Sequence, residues 1–477
     1  MNSTETPSLY APHEPVFPRR VSGTFRRLKW WIMGVTLAIY YLTPWIRWDR
    51  GPELPDQAVL VDLAHRRFYF FWIEIWPHEF YFVAGLLIMA GIGLFVFTSA
   101  FGRVWCGYSC PQTVWTDLFI LVERWIEGDR NARVRLWNAP WSARKWRLRI
   151  SKWLVWLVIA AATGGAWVFY FTDAPALALD LLKFQAHPVA YSTIAVLTAT
   201  TFVFGGFMRE QVCIYMCPWP RIQAAMMDDM SLTVAYRDWR GEPRGKHRKA
   251  EGADKLGDCI DCSACVAVCP MGIDIRDGQQ LECITCALCI DACDDVMTRV
   301  GKPRGLIDYM ALADEPAERA GAAPRTLLPH VFRLRTMLYF GLWGLVGLGL
   351  VAALFMRSEI GMSVAAVRNP TFVTLADGSV RNTYEVRLRN QTGAATEFSM
   401  SLDGAGALLL SIEGEEDGDT AISAPIDSQI LARVYVTAPV GSPEAELKET
   451  SFRIWVSTTD DQARARRDTT FHGKAAK

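Results

Sequence analysis

The sequence predicts a membrane-embedded α-helical bundle that carries a cysteine-rich insert and ends in an all-β sandwich. Three observations predict it: long apolar runs in the first three quarters of the chain, 12 cysteines confined to three places, and a change after Arg357 to alternating polar and β-branched residues. With 477 residues, 51% of them hydrophobic and 19 of them Trp, the chain is long enough for several domains and too apolar for an ordinary soluble one. Its formal charge is zero, which removes the basic footprint of a nucleic-acid-binding protein and leaves local charge asymmetry as the electrostatic signal.

Five stretches are long and apolar enough to cross a bilayer: Trp30 to Ile46, Phe80 to Gly102, Trp153 to Thr172, Pro188 to Met208 and Met337 to Met356. A cleaved signal peptide is the alternative for the first, but "TPWIRW" offers no small-residue cleavage site, so an uncleaved anchor is expected. Lys and Arg number 5 in the N-terminal tail (1–29), 4 in the loop 47–79, 10 in the loop 103–152 and 1 in the loop 173–187. The positive-inside rule then puts the tail and the 103–152 loop in the cytoplasm. Within the bundle at 30–208 the spans alternate, which makes 209–335 a cytosolic domain, 336–357 the fifth helix and 358–477 a domain on the opposite side of the membrane.

The central cysteines read "CIDCSACVAVCP" from Cys259 and "CITCALCIDACD" from Cys283, two copies of C-x2-C-x2-C-x3-C. Three thiolates at that spacing wrap one iron–sulfur cube while the fourth reaches the neighbouring one. Cys259, Cys262, Cys265 and Cys293 are therefore assigned to one [4Fe-4S] cluster, and Cys283, Cys286, Cys289 and Cys269 to the other. Zinc ribbons lack the third C-x2-C step and the repeated fourth cysteine. Asp294 stands in the second copy where the first has Pro270, which leaves the ligands unaltered. Two clusters in a ferredoxin-like insert make a short wire, and no flavin or nicotinamide fingerprint accompanies it.

The other four cysteines form two C-x3-C-P pairs, Cys106 with Cys110 and Cys213 with Cys217, each at the cytoplasmic end of a span. On a helix, residues i and i+4 share a face, so each pair presents two thiols side by side. Pro111 and Pro218 mark a helix end or kink. If the two spans are neighbours, four soft sulfurs converge, a set suited to Cu(I), zinc or an iron–sulfur centre. Buried free thiols, a disulfide or pairs that never meet are the alternatives. Met226, Met227 and Met230 could attend copper or simply pack. His78 and His187 lie at outer span ends, where packing competes with a role towards a quinol or metal. Gly341, Gly344, Gly347 and Gly349 suit close helix packing better than nucleotide binding.

After Arg357, segments such as "PTFVTLADGSVRNTYEVRLRN" and "ETSFRIWVSTTDD" alternate between turn signals, which predicts an immunoglobulin-like antiparallel β-sandwich without a disulfide. A docking or spacing role is the default for it.

The order of spans, "WCGYSCPQTVWTD", "CIYMCPWPRIQAAMMD", "RGEPRG", both cluster motifs, "GKPRGLIDY" and the sandwich tail together resemble the FixG/RdxA/CcoG family of cytochrome c oxidase accessory proteins. The cysteine pairs alone are also similar to those of NapH-like membrane ferredoxins. The resemblance implies an oxidoreductase, a cupric reductase that supplies Cu(I) for assembly of the cbb-type oxidase. It implies cluster ligands at Cys259, Cys262, Cys265, Cys269, Cys283, Cys286, Cys289 and Cys293, and places its membrane cysteine motifs, the catalytic and copper-holding candidates, at Cys106, Cys110, Cys213 and Cys217. Asp308 in "GLIDY" stands where a basic residue is expected. The implied partners are the lipid bilayer, a copper transporter or copper chaperone, a cytosolic electron donor and, in assembly, a second copy as a homodimer. Two rival readings are a quinol-linked ferredoxin subunit, whose clusters quinol alone would reduce, and a non-catalytic chaperone or scaffold, whose clusters would not cycle.

Overall fold

The computed structural model describes residues 15–51, 54–246, 256–326, 328–357, 360–390, 395–404, 406–415, 420–425, 428–458 and 464–476. The chain divides into two compact units, Met1–Leu350 and Val351–Lys477.

In the first unit, α1 (Thr24–Leu42) leads through a three-stranded antiparallel sheet of β1 (Val59–Asp62), β2 (Arg67–Phe70) and β3 (Ile73–Ile75) to α2 (Tyr81–Phe101). There follow α3 (Val104–Tyr108), α4 (Pro111–Ile126), α5 (Arg130–Asn138), α6 (Ala143–Val168), α7 (Ala174–Leu182) and α8 (Pro188–Thr201). The chain continues from α8 as two π-helical segments, Phe202–Met208 and Val212–Met216, and then α9 (Trp219–Met226). The small sheet marks one end of the bundle: Val61 N–H donates to Tyr170 O just beyond α6, and Gln57 bridges Phe169 O and Ala174 N–H.

Among the described residues, four helices are long and apolar enough to cross a membrane: Pro77–Phe101, Ala143–Val168, Pro188–Met208 and α15 (Leu334–Phe355). The expected first span is where the structure differs. Helix α1 starts at Thr24, taking in Arg26, Arg27 and Lys29, and its apolar part from Trp30 to Leu42 reaches only about 20 Å of the ~30 Å core. The third expected span also begins earlier, at Ala143, because Ser142 caps the helix by accepting Lys145 N–H. The four glycines of the last span lie in α15, and Gly347 meets Met89 of α2 while Gly85 and Gly93 of α2 approach Leu350 and Trp343.

The segment 103–152 is not an open basic loop. Several of its basic residues are turned inward by Glu123 of α4 and Glu127 just after it: Glu123 pairs with Arg133 (2.9 Å), Lys152 (3.1 Å) and Arg209 (2.6 Å), and Glu127 with Lys152 (3.0 Å) and Arg149 (3.3 Å). Lys145, Arg149 and Lys152 fall at helical spacing on the buried face of α6; Arg149 and Lys152 join the glutamate network, and the Lys145 ammonium donates to Trp137 O and Ala139 O. Phe119 of α4 stacks on Trp156 of α6 at 5.2 Å; a Cβ at Gly206 would lie 2.9 Å from the Trp156 ring, and one at Gly205 would sit tightly, 3.3 Å from the Phe119 ring.

The cysteine-rich insert is tied together by β4 (Thr233–Tyr236) and β5 (Ile307–Met310), antiparallel with Thr233 opposite Met310. It also holds α10 (Asp238–Gly241), α11 (Ala264–Val268), α12 (Leu288–Val300), α13 (Glu315–Arg319) and α14 (Leu328–Val331). It docks on α1 through Asp291 of α12, whose carboxylate accepts the N–H groups of Phe25 (3.2 Å) and Arg26 (2.7 Å) and so caps the first turn of α1.

The second unit is the expected sandwich. One sheet runs β10 (Leu409–Ile412), β12 (Gln429–Ala438), β8 (Val380–Asn390), β6 (Ile360–Ala366), with β7 (Val373–Thr374) also on β8; the other runs β11 (Ala421–Ala424), β9 (Thr396–Asp403), β13 (Glu449–Thr458), β14 (Arg464–His472). Burial alternates along β8, and Tyr384, Phe398, Phe452 and Phe471 fill the core between the sheets.

Candidate functional site

Each cluster motif wraps its backbone the same way. Asp261 and Ser263 flank Cys262 with φ of 54° and 51°, and Thr285 and Ala287 flank Cys286 with φ of 54° and 60°. Non-glycine residues pay strain in this left-handed region, so a pair at matching positions in both motifs marks a loop shaped for something other than its own stability. The curl turns amides towards sulfur: Thr285 N–H donates to Cys283 Sγ at 3.4 Å.

The eight thiols form two adjacent quartets. Burial pushes the Cys293 thiol up to about 12, and Cys265, Cys262 and Cys259 add to it; burial likewise pushes Cys269 up to about 12, with Cys286 and Cys283 adding. Cys289, wholly enclosed, is raised well above the ordinary thiol value by burial and by Cys286, Cys283, Cys269 and Cys265. Spacing assigns Cys259, Cys262, Cys265 and Cys293 to one cluster and Cys269, Cys283, Cys286 and Cys289 to the other, and the thiols of the two motifs lie close enough to act on one another. Crowded thiols held neutral by burial become thiolates when iron supplies positive charge. Among the described residues no group of three or more His, Cys, Asp or Glu is arranged to hold a metal ion.

The two C-x3-C-P pairs are copies of one backbone device, and it is not the helix face expected. Cys106 lies in α3, but Cys110 caps α4 with ψ of 128°; Cys213 lies in the second π-helical segment, but Cys217 ends it with ψ of 124°. The following proline forbids the helical conformation at Cys110 and Cys217, so each pair straddles a corner. Cys269 before Pro270 has the same extended form, with ψ of 122°. Four residues ahead of the first cysteine of each pair stands a left-handed kink, Gly102 at φ 63° and Arg209 at φ 42°. The strained Arg209 is held by its Nε bond to Gly206 O (2.7 Å) and its pairing with Glu123.

The kinks bring the four membrane-edge thiols together. Cys213 is pushed up to about 12 by burial, with Cys110, Cys106 and Cys217 adding; Cys106 is pushed up to about 11 by burial, opposed by Arg103 and reinforced by Cys110 and Cys217. Gln223 of α9 accepts from Cys106 Sγ at 3.0 Å, so a residue following the second pair orients a thiol of the first.

These thiols abut the second quartet. Cys106, Cys213, Cys269 and Cys286 pack into one apolar core with Val268, Met271 and Ile284. Gly107 makes the approach close enough, since a Cβ there would lie 2.6 Å from Ile284 O and 3.0 Å from Cys286 Cα. Tyr108 OH donates to Cys286 O at 3.1 Å, and buried Arg103 donates to Leu281 O. Gly107, Tyr108, Arg103 and Gln223 were not singled out from sequence, although three of them lie within five residues of a cysteine.

Other sequence candidates sit elsewhere. The shared core contains Met271 rather than Met226, Met227 or Met230; Met226 is buried in α9 and Met227 lies against Gly102. His187 caps α8, its Nδ1 accepting Val189 N–H at 3.3 Å, and His78 is exposed. Asp294 accepts Gly305 N–H at 3.0 Å, a turn-closing role that proline could not fill. Asp308 lies on β5, 3.6 Å from Arg237.

Comparison with known proteins agrees with this architecture. Residues 208–312 match a family model described as a "4Fe-4S dicluster domain", residues 82–133 one described as a "4Fe-4S binding domain", and residues 350–474 one for the "IG-like fold at C-terminal of FixG". "Protein RdxB" of Cereibacter sphaeroides is 66% identical over 472 residues, covering 99% of this chain and 98% of its own length. "Protein RdxA" of the same organism is 64% identical (94% of each), and "Nitrogen fixation protein FixG" of Rhizobium meliloti 56% identical (91% of this chain, 88% of the relative). A crystal structure of a FixG-related protein from Vibrio parahaemolyticus, 18% identical, covers 25% of this chain and 99% of its own at a TM-score of 0.21, too slight a likeness to bear on the fold. The chain is an iron–sulfur electron-transfer protein with two [4Fe-4S] clusters, and it belongs to the FixG/RdxA family.

Proposed function

We propose that the protein is a cupric reductase of the bacterial inner membrane, converting Cu(II) to Cu(I) for assembly of the cbb-type oxidase. In this reading the two quartets are the cluster ligands on the cytoplasmic side, α1 is the fifth crossing and the sandwich is periplasmic. When bound, each cluster supplies one electron at a time. The observation that carries the reading is the contact of Gly107 and Tyr108 with the loop Ile284–Cys286, which packs Cys106 and Cys213 into one apolar core with Cys269 and Cys286.

The chain's own part is to change the ligand preference around the substrate. Cu(II) favours nitrogen and oxygen whereas Cu(I) favours sulfur, so one electron delivered beside Cys106, Cys110, Cys213 and Cys217 makes the product the better-held species. Burial raises the proton affinity of Cys106 and Cys213, so capture of copper by these two releases thiol protons to water. The thiols must also draw inward to close on one ion. A copper transporter or chaperone then takes Cu(I).

The test is the quadruple Cys→Ser variant at 106, 110, 213 and 217 in the full-length membrane protein. Both clusters should remain countable by electron paramagnetic resonance while Cu(I) binding is lost and Cu(II) reduction falls. Copper chemistry unchanged in that variant would remove these thiols from the mechanism.

A further inference from the structure

A cavity of about 640 Å³ opens beside the second quartet, between the first turns of α1, the last turn of α2, α3 and β5. Its walls at the helix ends are apolar and exposed: Leu28 is 47% exposed, Phe97 52% and Trp105 44%. Its inner end is polar, with Tyr108, Tyr309 and Asp308 in the lining, and the exposed Arg325 stands at its rim. Small-molecule sites have this volume and this mixture of apolar walls with few convergent polar groups.

Two phenols join the cavity to the cluster loop. Tyr108 OH donates to Cys286 O at 3.1 Å and Tyr309 OH donates to Thr285 O at 3.0 Å, so the cavity wall and the backbone of the second motif are hydrogen-bonded to each other. No cysteine of either cluster motif lines this cavity.

We infer that this cavity binds a membrane quinol, ring inward against Tyr108 and Tyr309 and tail out between α1 and α2, as the electron source for the clusters. A lipid acyl chain would fit the apolar mouth but has no use for the polar end, whereas a quinol needs both a route from lipid and a proton acceptor beside an electron acceptor. Oxidation of one quinol to quinone yields two electrons and two protons. One electron reduces each [4Fe-4S] cluster, one proton passes to the Asp308 carboxylate and the other to water at the Arg325 rim. Burial raises the Asp308 proton affinity even with Arg237 nearby, which suits a transient acceptor. The acidic residue standing where the family pattern leads one to expect a basic one thereby gains a role. The inference rests on the electron-transfer reading and does not depend on copper being the final acceptor.

The test uses the full-length protein with both clusters, in nanodiscs, and decylubiquinone as probe. An azido derivative of that quinone should label residues of α1, α3 or β5, with decylubiquinone protecting and an excess of phospholipid failing to protect. Leu28→Trp, which fills the mouth, should weaken binding about tenfold. Asp308→Asn should leave binding in place but slow anaerobic bleaching of the clusters by decylubiquinol about 100-fold. Labelling elsewhere, protection by phospholipid, or Leu28→Trp binding as the parent does would overturn the site. Oxidation of dithionite-reduced protein by Cu(II) is scored separately, so loss of the quinol site and loss of the copper reading remain distinguishable.

Discussion

Replacing Gly107 by alanine tests the junction between the thiol site and the cluster loop with one methyl group. Gly107 lies in α3 with an ordinary helical φ, so alanine is conformationally acceptable and only the contact is at issue. Its Cβ would sit 2.6 Å from Ile284 O and 3.1 Å from Cys286 N; ordinary contact begins near 3.4 Å, so the loop and α3 must part by 3.4 − 2.6 = 0.8 Å. Both neighbours are backbone and cannot swing aside. Overpacking of this kind costs about 1–3 kcal/mol, and the Tyr108–Cys286 bond, about 1 kcal/mol, is stretched with it. The assay is thermal loss of cluster absorbance, paired with single-turnover oxidation of the reduced protein by Cu(II). Gly107→Ala should lose its clusters at a temperature several degrees lower and reduce Cu(II) more slowly. Gly165→Ala, in α6 with nothing within 4 Å of the added methyl, is the control and should be neutral or stabilising by about 0.5–1 kcal/mol. If Gly107→Ala matches the control in both readouts, the close approach is not a feature of the working protein.

Burial pushes the Glu123 carboxyl up, but Arg209, Lys152 and Arg133 outweigh it and hold it at about 2. A depressed carboxylate stabilises the fold above its unfolded value and loses that contribution as pH falls towards the folded one, so stability should decline between about pH 4.5 and 2. Glu123→Gln should cost about 3–5 kcal/mol at neutral pH, because three cations lose their shared partner, and should flatten that acid limb; urea unfolding followed by tryptophan emission across pH reads both. Asp291→Ala removes the cap on α1 and should cost about 1–2 kcal/mol, with Asp291→Asn recovering part of it; hydrogen exchange at the Phe25 and Arg26 amides should rise in the alanine variant and stay slow if the cap is unimportant.

The sequence was most legible where one local rule governs. The repeated C-x2-C-x2-C-x3-C spacing predicts two iron–sulfur clusters, and residues 208–312 match a 4Fe-4S dicluster model. Alternation along Val380–Asn390 belongs to a strand with one buried face, and Asn390 and Tyr384 are buried as it requires. Reading failed where distant partners decide. Arg133, Arg149 and Lys152 look like the rim of a cytosolic loop until Glu123 and Glu127 are placed beside them. The two thiol pairs look like i, i+4 neighbours on a helix, yet Pro111 and Pro218 extend Cys110 and Cys217; the rule for the residue before proline contained that result, and helical spacing was applied over it. Gly107 carries no local signal, since its role depends on a loop nearly 180 residues away in sequence.

The most direct measurement of the central claim is freeze-quench electron paramagnetic resonance on anaerobic, dithionite-reduced protein mixed with Cu(II). The account predicts that the Cu(II) signal and the reduced-cluster signal vanish together, one electron for each copper, and that the Cu(II) signal persists in the quadruple Cys→Ser variant while its clusters stay reduced. A Cu(II) signal that survives beside fully reduced clusters in the parent protein would contradict it.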